Sequence, residues 1–464
     1  MHISSTLVAA TLPLMALASP SLIPRQASTK ITVDPSKKYQ TMDGFGFSAA
    51  FQRANLIVNL PEPKRTALLD ILFSNTTGAG FTILRNGLGS TPNSNSDYMN
   101  TIEPTNPGSA TATPKYVWDG KDSGQFWLSQ QAVKYGVNTF YSNAWSAPGF
   151  MKTNNNDMNG GSLRDEWKQA YANYLIQYIQ YYIDGGVPIT HLGFLNEPDL
   201  STSYASMLSN GQQAAAFIKV LRPSLDAANM SQVGIVCCES TGWGQAGNIY
   251  GGIKSSGADG QLAVVSSHEY TGRAGNSLSN THPSWQTEYA DLNGGWTTSW
   301  AGNGGAGDGM TWASNIYNAI TRANVSAYLA WEGVQAPNPN TNEKLIKCDA
   351  SNYEVSKRLW AFAQYSRTVR PGAVRLGTSG GNFQTTAFQN VDGSVAVNII
   401  NTGGSAATVS VGVTGLVPAS AVSWLTDNSH DFTSTTLTVA TDGSVSGSVP
   451  ARAMVSFVLA AAAA

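Results

Sequence analysis

Between residues 43 and 366 the chain alternates short apolar runs with longer stretches in which apolar residues recur every three or four positions. The short runs, at 44–48, 81–86, 139–143, 191–195, 233–237, 262–267, 284–288 and 327–331, have the length of buried strands. The clearest longer stretch covers 162–184. There Trp167, Tyr171, Tyr174, Leu175, Tyr178, Ile179 and Tyr182 fall on one helical face, Ser162 and Asp165 resemble a capping box, and Gly185-Gly186 ends the pattern. Such a stripe predicts a helix packed on a sheet. Eight strands alternating with helices over about 320 residues predict an α/β fold, a (β/α)8 TIM barrel. One unit is weak: 270–283 has no helical period and reads as a shortened sixth unit with a long loop.

Past Arg370-Pro371-Gly372 the texture changes. Runs at 394–400, 408–413, 421–426, 436–440 and 454–459 are short and rich in Val, Ser and Thr, with hairpin-type turns at Asp392-Gly393 and Asp442-Gly443. They predict a side β-sandwich over 371–464, fused to a barrel over 43–370. The β-rich segment 26–42 is expected to add a strand to that sandwich.

Charged residues make up only 12% of the chain and the net charge is −2, so no basic field exists to attract nucleic acid or an anionic membrane. The 12 Trp and 18 Tyr supply flat amphipathic faces that suit sugar rings wherever a cleft exposes them. Residues 1–18, ending Ala16-Leu17-Ala18, read as a secretory signal, and 19–25 as a short pro-segment. No later apolar run is long enough to span a membrane. A secreted, extracellular monomer is expected, with Asn75, Asn229 and Asn324 as glycosylation acceptors in N-x-S/T triplets. The three cysteines, Cys237, Cys238 and Cys348, lack metal-site spacing and allow at most one intrachain disulfide. Strand alternation would point Cys237 and Cys238 to opposite faces, so small buried core residues are the expectation.

In a barrel of this type the chemistry sits where strands end at the C-terminal face. The fourth strand leads into Asn196-Glu197-Pro198 and the seventh ends in Thr287-Glu288-Tyr289, so two carboxylates face each other across the barrel mouth. Glycosidic bond cleavage needs one carboxyl to protonate the leaving oxygen and a second to meet the oxocarbenium-like carbon. Glu197 and Glu288 are therefore the catalytic candidates, and Asn196 is placed to bond a sugar 2-hydroxyl. A single Glu at a strand end is more often a cap or ion-pair partner; two of them, beside an Arg, a His and a Trp at other strand ends, point to catalysis. Glu239 is the rival catalyst, Glu269 reads as structural, and Glu332 is the remaining carboxylate expected to touch substrate or orient a neighbour. No set of His, Asp and Glu has metal spacing, and neither a phosphate loop nor a serine nucleophile elbow is present, so no cofactor or metal is expected.

Asp43-Gly44-Phe45-Gly46-Phe47-Ser48, Leu84-Arg85-Asn86, the string Trp145-Ser146-Ala147-Pro148-Gly149-Phe150-Met151-Lys152-Thr153-Asn154, Leu195-Asn196-Glu197-Pro198 and Trp285-Gln286-Thr287-Glu288-Tyr289 together resemble glycoside hydrolase family 30 over nearly the whole chain after residue 26. The resemblance implies a retaining hydrolase with Glu197 as acid/base and Glu288 as nucleophile. It further implies Arg85 held against the nucleophile, Trp145 and Trp331 beside the subsites before the scissile bond, and Tyr270, two residues after His268, bonded to the nucleophile. Tyr204 is a candidate for lining the cleft, and His268 is grouped with the substrate-binding residues.

Within the family the texture is most similar to the fungal xylanase branch (subfamily 7-like) acting on glucuronoxylan, which implies Arg53 as reader of the 4-O-methylglucuronic acid branch. Asn93, Asn95 and Asn100 lie in the loop that, in branch members releasing xylobiose from chain ends, blocks the far subsite, with Asn100 favoured. The stretch 333–349 carries Lys344 and Lys347 but no Arg, unlike bacterial glucuronoxylanases. The expected partners are glucuronoxylan and xylo-oligosaccharides. Rival readings are a β-1,6-galactanase, β-1,6-glucanase or glucosylceramidase of the same family, and a non-catalytic carbohydrate-binding barrel.

Overall fold

The computed structural model describes residues 28–92, 98–278, 280–302 and 304–461; the expected signal and pro-segment, and Asn93 and Asn95, lie outside them. Eight parallel strands close into a barrel: β1 (Gly44–Ser48), β2 (Ile83–Leu88), β3 (Thr139–Ala144), β4 (Ile189–Gly193), β5 (Gly234–Ser240), β6 (Val264–His268), β7 (Ser284–Glu288) and β8 (Val325–Gln335). Each pairs with the next, and β8 pairs with both β7 and β1. The (β/α)8 expectation holds, with β1 and β7 at their expected limits.

The period of two sorts the strand residues. In β1, Phe45 and Phe47 turn outward into the helix layer, while a Cβ at Gly46 would land on the Ile83 carbonyl. Glycine at that position lets β1 lie against β2 inside a narrow barrel. Ile83, Tyr141, Val236, Val264, Trp285, Ala327 and Leu329 fill the interior.

The helices are α1 (Arg53–Val58), α2 (Lys64–Phe73), α3 (Gln125–Lys134), α4 (Lys168–Asp184), α5 (Gly211–Ala227), α6 (Trp243–Ser255), α7 (Gly309–Arg322) and α8 (Lys357–Ser366). The first unit has two of them. The sixth has none among its described residues, which matches the loop expected there. The Tyr stripe of α4 is buried packing, as its spacing predicted. Its proposed capping box is not formed: a 3-10 turn at Asp165–Trp167 precedes the helix, which begins at Lys168 without a side-chain cap. A capping box does exist on α5, where Asn210 and Gln213 bond each other's backbone reciprocally.

Strand limits slipped where charge met burial. β8 runs four residues past its expected end because Glu332 is buried and pairs with a following strand, Lys344–Cys348. β5 likewise continues past its expected end at Cys237 through Cys238, Glu239 and Ser240. The two cysteines do not alternate: they form a vicinal disulfide, while Cys348 is free and buried.

The C-terminal part is a β-sandwich built as one continuous ten-stranded sheet folded over a core of Val397, Ile399, Val409, Val411, Val455 and Phe457. Strands at Val374–Ser379, Gln384–Gln389 and Val445–Val449 escaped the sequence pattern. The N-terminal strand Thr29–Thr41 lies in this sheet, antiparallel to Val374–Ser379 and parallel to Ala407–Val413. Ala396, Ile400 and Met454, on the opposite face, join the barrel's helix-layer core. Trp300, fully buried in the loop after β7, donates through its indole to the Arg452 carbonyl at 2.9 Å and locks the two parts together.

Candidate active site

Five strands bring charged groups to one end of the barrel: Arg85 on β2, Glu197 just beyond β4, Glu239 on β5, His268 at the end of β6 and Glu288 at the end of β7. Glu197 and Glu239 both take left-handed backbone conformations, with φ of 45° and 55°. The Glu197 amide donates to the Glu239 carbonyl at 2.8 Å, so the two strained residues hold each other in place.

The side chains form a single network. Arg85 donates through one terminal nitrogen to Glu288 Oε2 at 2.5 Å, and through the other to Glu239 Oε2 at 2.6 Å and Asn196 Oδ1 at 2.7 Å. His268 places Nδ1 3.1 Å from Glu197 Oε1 and Nε2 3.1 Å from Glu239 Oε2, and also lies 3.6 Å from Glu288 Oε2. Tyr270 donates to Glu288 Oε1 at 3.0 Å, Tyr204 to Glu197 Oε2 at 3.3 Å, and Thr287 to Glu239 Oε1 at 2.7 Å.

Electrostatics follow from that wiring. Burial opposes the charge on Glu239, yet Arg85 and His268 pull its carboxyl down to about 2. Burial likewise works against a charged His268, but Glu288, Glu197 and Glu239 push it up to about 10, so it is an imidazolium. Glu288 is raised above the ordinary glutamate value, by burial first and then by Glu197, while His268 and Arg85 pull it back. Two cations stand within ion-pair reach of Glu288, Arg85 at 2.5 Å and His268 at 3.6 Å, whereas Glu197 meets His268 alone.

Glu197 and Glu288 open onto a cleft of about 700 Å³. Its lining holds an aromatic cluster of Phe51, Trp145, Tyr204 and Trp331, with Trp145 and Trp331 5.9 Å apart and Phe51 edge-on to both, and also Tyr98. It further includes Asp199, Leu200, Thr241, Gln245, Thr271 and Leu292, none of which the strand-end criterion identified. Asp199 and Leu200 directly follow the Asn-Glu-Pro turn, a proximity that could have flagged them. Gln245, in the first turn of α6, had no signal.

Trp145, Tyr204, Tyr270, Trp331 and Arg53 all line the cleft. Five expected substrate contacts do not. Arg85 and His268 are fully buried behind the carboxylates, and Glu332 is fully buried beneath Arg53, whose Nε it holds at 2.7 and 2.8 Å. Asn100 is exposed in a bridge to Thr91 outside the cleft lining, while Tyr98 of the same loop reaches inside. Asn196 is nearly buried; its carbonyl oxygen accepts from Arg85 and, at 3.3 Å, from Asn143. Glu269 is occupied by Tyr328, Arg273 and the Ala274 amide, away from the cleft. Lys344 is buried against the Ala336 and Pro339 carbonyls. Asn75, Asn229 and Asn324 are all exposed.

Sequence spacing gave no metal site, yet the fold brings Glu197, His268 and Glu288 within 4.8 Å of one another. The donor set does not suit a cation. Both imidazole nitrogens face carboxylates, the ring is protonated, and Arg85 already supplies positive charge.

Residues 42–367 match the model for glycosyl hydrolase family 59, and 372–457 match the glycosyl hydrolase family 30 beta sandwich domain. The catalytic domain of GH30 xylanase C from Talaromyces cellulolyticus is 42% identical, superposes with a TM-score of 0.86, and covers 93% of this chain and 99% of its own. The endo-1,6-beta-D-glucanase of Neurospora crassa is 25% identical over 80% of this chain and 81% of its own length. The putative glucosylceramidase 1 of Caenorhabditis elegans is 25% identical over 80% and 76%. A barrel of one family's type, a sandwich of the other's, and a carboxylate cluster at the barrel mouth agree: the chain belongs to the clan GH-A barrel glycosidases that join families 30 and 59.

Proposed function

We propose that the protein is a secreted retaining xylanase that cleaves β-1,4-xylan, with Glu197 as acid/base and Glu288 as nucleophile. The carrying observation is the approach of the two carboxylates within one cleft, their ligand oxygens inside 4.8 Å. Retention calls for carboxyl groups about 5–5.5 Å apart, whereas inversion needs about 6.5–9.5 Å to admit a water. Glu197 protonates the leaving oxygen as Glu288 forms the glycosyl ester; Glu197 then takes a proton from water, which releases the sugar with its original configuration. Tyr270 and Arg85 fix the nucleophile's two oxygens so that one lone pair faces the sugar carbon. The sequon exposure and the apolar segment 1–18 support secretion and glycosylation.

The choice of xylan rests on the 42% identity with the Talaromyces xylanase. Arg53 is the proposed reader of a glucuronate branch: it reaches the cleft with its Nε anchored on buried Glu332, so its guanidinium is pre-oriented. Arg53→Ala is expected to lower kcat/KM on glucuronoxylan about 10- to 100-fold, the worth of one or two charge-assisted hydrogen bonds, with little change on linear xylo-oligosaccharides. Product analysis on both substrates checks it: aldouronic products from the wild type imply branch reading, and xylobiose alone implies trimming from chain ends. The glucanase and glucosylceramidase relatives motivate the competing reading, and turnover of β-1,6-glucan or glucosylceramide with none of xylan would establish it.

A further inference from the structure

The network contains a third carboxylate that the double displacement does not use. We infer that Glu239 is a positioning residue that acts as the permanent counter-ion of the site, keeping Arg85 and His268 in place and the charge of the cluster balanced as negative charge passes from Glu288 to Glu197. This deepens the proposed reaction and rests on those two roles.

The observations are geometric. Glu239 is fully buried, and both its oxygens are taken by donors: Oε1 by Thr287, and Oε2 by Arg85 and His268. Those same two cations are what touch the reacting carboxylates, Arg85 on Glu288 and His268 on Glu197. Among the described residues, the charged or titratable groups that face Glu239 are Arg85 from β2, Tyr141 from β3 and His268 from β6, with Glu288 from β7 on the other side of Arg85 and the Glu197 amide on its carbonyl from beyond β4. Ser266 and Thr287 complete its surroundings.

The charge balance is informative. With Glu197 as the acid and Glu288 as the nucleophile, the reaction starts from two positive charges on Arg85 and His268 against ionised Glu239 and Glu288, and the sum is zero. In the glycosyl-enzyme Glu288 is a neutral ester and Glu197 has given its proton to the leaving group. The sum is again zero. His268 touches both carboxylates that exchange the charge, at 3.1 and 3.6 Å, so the transfer needs no movement of either cation. Without Glu239 the cluster would carry one surplus positive charge at both stages, which favours loss of the proton from the acid and ionisation of the nucleophile at lower pH.

The test is Glu239→Gln, which the site can accommodate. The amide oxygen replaces Oε2 towards Arg85 and His268, and the amide nitrogen meets the Thr287 hydroxyl, which can donate instead to the Ser267 carbonyl 3.4 Å away. Both limbs of the kcat/KM pH profile are expected to move down by about one pH unit, the size of one charge acting across the site at an intermediate dielectric. Glu239→Asp, which keeps the charge, should leave the limbs near those of the wild type. Unmoved limbs in Glu239→Gln, or equal movement in both variants, would overturn the inference. Should the variants fail to fold, 15N-histidine NMR of the wild-type protein decides: one imidazolium that stays protonated to about pH 9 supports it, and its titration near pH 6.5 overturns it. A fully active Glu288→Ala protein would instead defeat the underlying assignment of the nucleophile, a separate outcome from unmoved limbs in Glu239→Gln.

Discussion

Glu288→Ala is expected to lose on the order of 10⁴-fold or more in kcat on the glycan the enzyme cleaves, because the covalent route closes when its nucleophile is removed. The companion Glu197→Ala should lose less on aryl glycosides whose leaving group needs no proton, since only acid assistance is missing in the first step. Azide separates the two. In Glu288→Ala it fills the vacated space below the sugar and attacks the substrate directly, giving a glycosyl azide of inverted configuration. In Glu197→Ala it opens the glycosyl-enzyme instead, giving the retained one. Product stereochemistry by NMR checks both, and the same product from the two variants would refute the assignment. The raised carboxyl of Glu288 adds a pH signature: the nucleophile must be ionised, so wild-type activity should fall with decreasing pH through a value above 4.5.

Arg85→Leu is expected to damage stability as much as catalysis. Arg85 is fully buried, ties together Glu239, Glu288 and Asn196, and lies with its guanidinium carbon 4.6 Å from the centre of the Trp145 ring. Its removal leaves the buried Glu239 and the nucleophile Glu288 with a single imidazolium between them. Breaking a buried ion pair from one side costs about 3–5 kcal/mol. The pH dependence gives the sign. In the wild type Glu239 is held down at about 2, so its stabilisation is present above 4.5 and is lost as pH falls towards 2. In the variant that carboxyl rises above its unfolded value, and the deficit should be full near pH 7 and shrink as pH falls towards 4.5. Urea unfolding of both proteins at two pH values measures this, and a deficit that grows on acidification would contradict it.

Much of this architecture is legible in the sequence because the barrel's demands are local. Apolar runs of strand length, the double glycine ending α4, and the strictly alternating C-terminal strands each declare themselves within a few residues. Glu197 and Glu288 are legible for the same reason, since each follows an apolar strand in a short, distinctive turn. What escaped depends on partners distant in sequence. Glu332 reads equally as a substrate contact or as a residue that orients a neighbour, until Arg53, 279 positions earlier, is seen to pair with it. His268 reads as a substrate contact until its two carboxylates, contributed by other strands, are seen to enclose it. Cys237 and Cys238 break strand alternation by bonding to each other, a pairing that composition does not reveal. The capping box failed because the pattern Ser162-x-x-Asp165 competes with backbone pairing to Thr153, which claims the Ser162 carbonyl and, through its hydroxyl, the Ser162 amide.

The strand Thr29–Thr41 sits centrally in the C-terminal sheet, between partners more than 330 residues away in the chain. A ribosome making this protein releases that strand long before its neighbours. For most of synthesis its edges have no mate. The native sheet can close only after the whole barrel has emerged, so deletion of the sandwich would expose a hydrogen-bonding ribbon at the opposite end of the chain and invite aggregation.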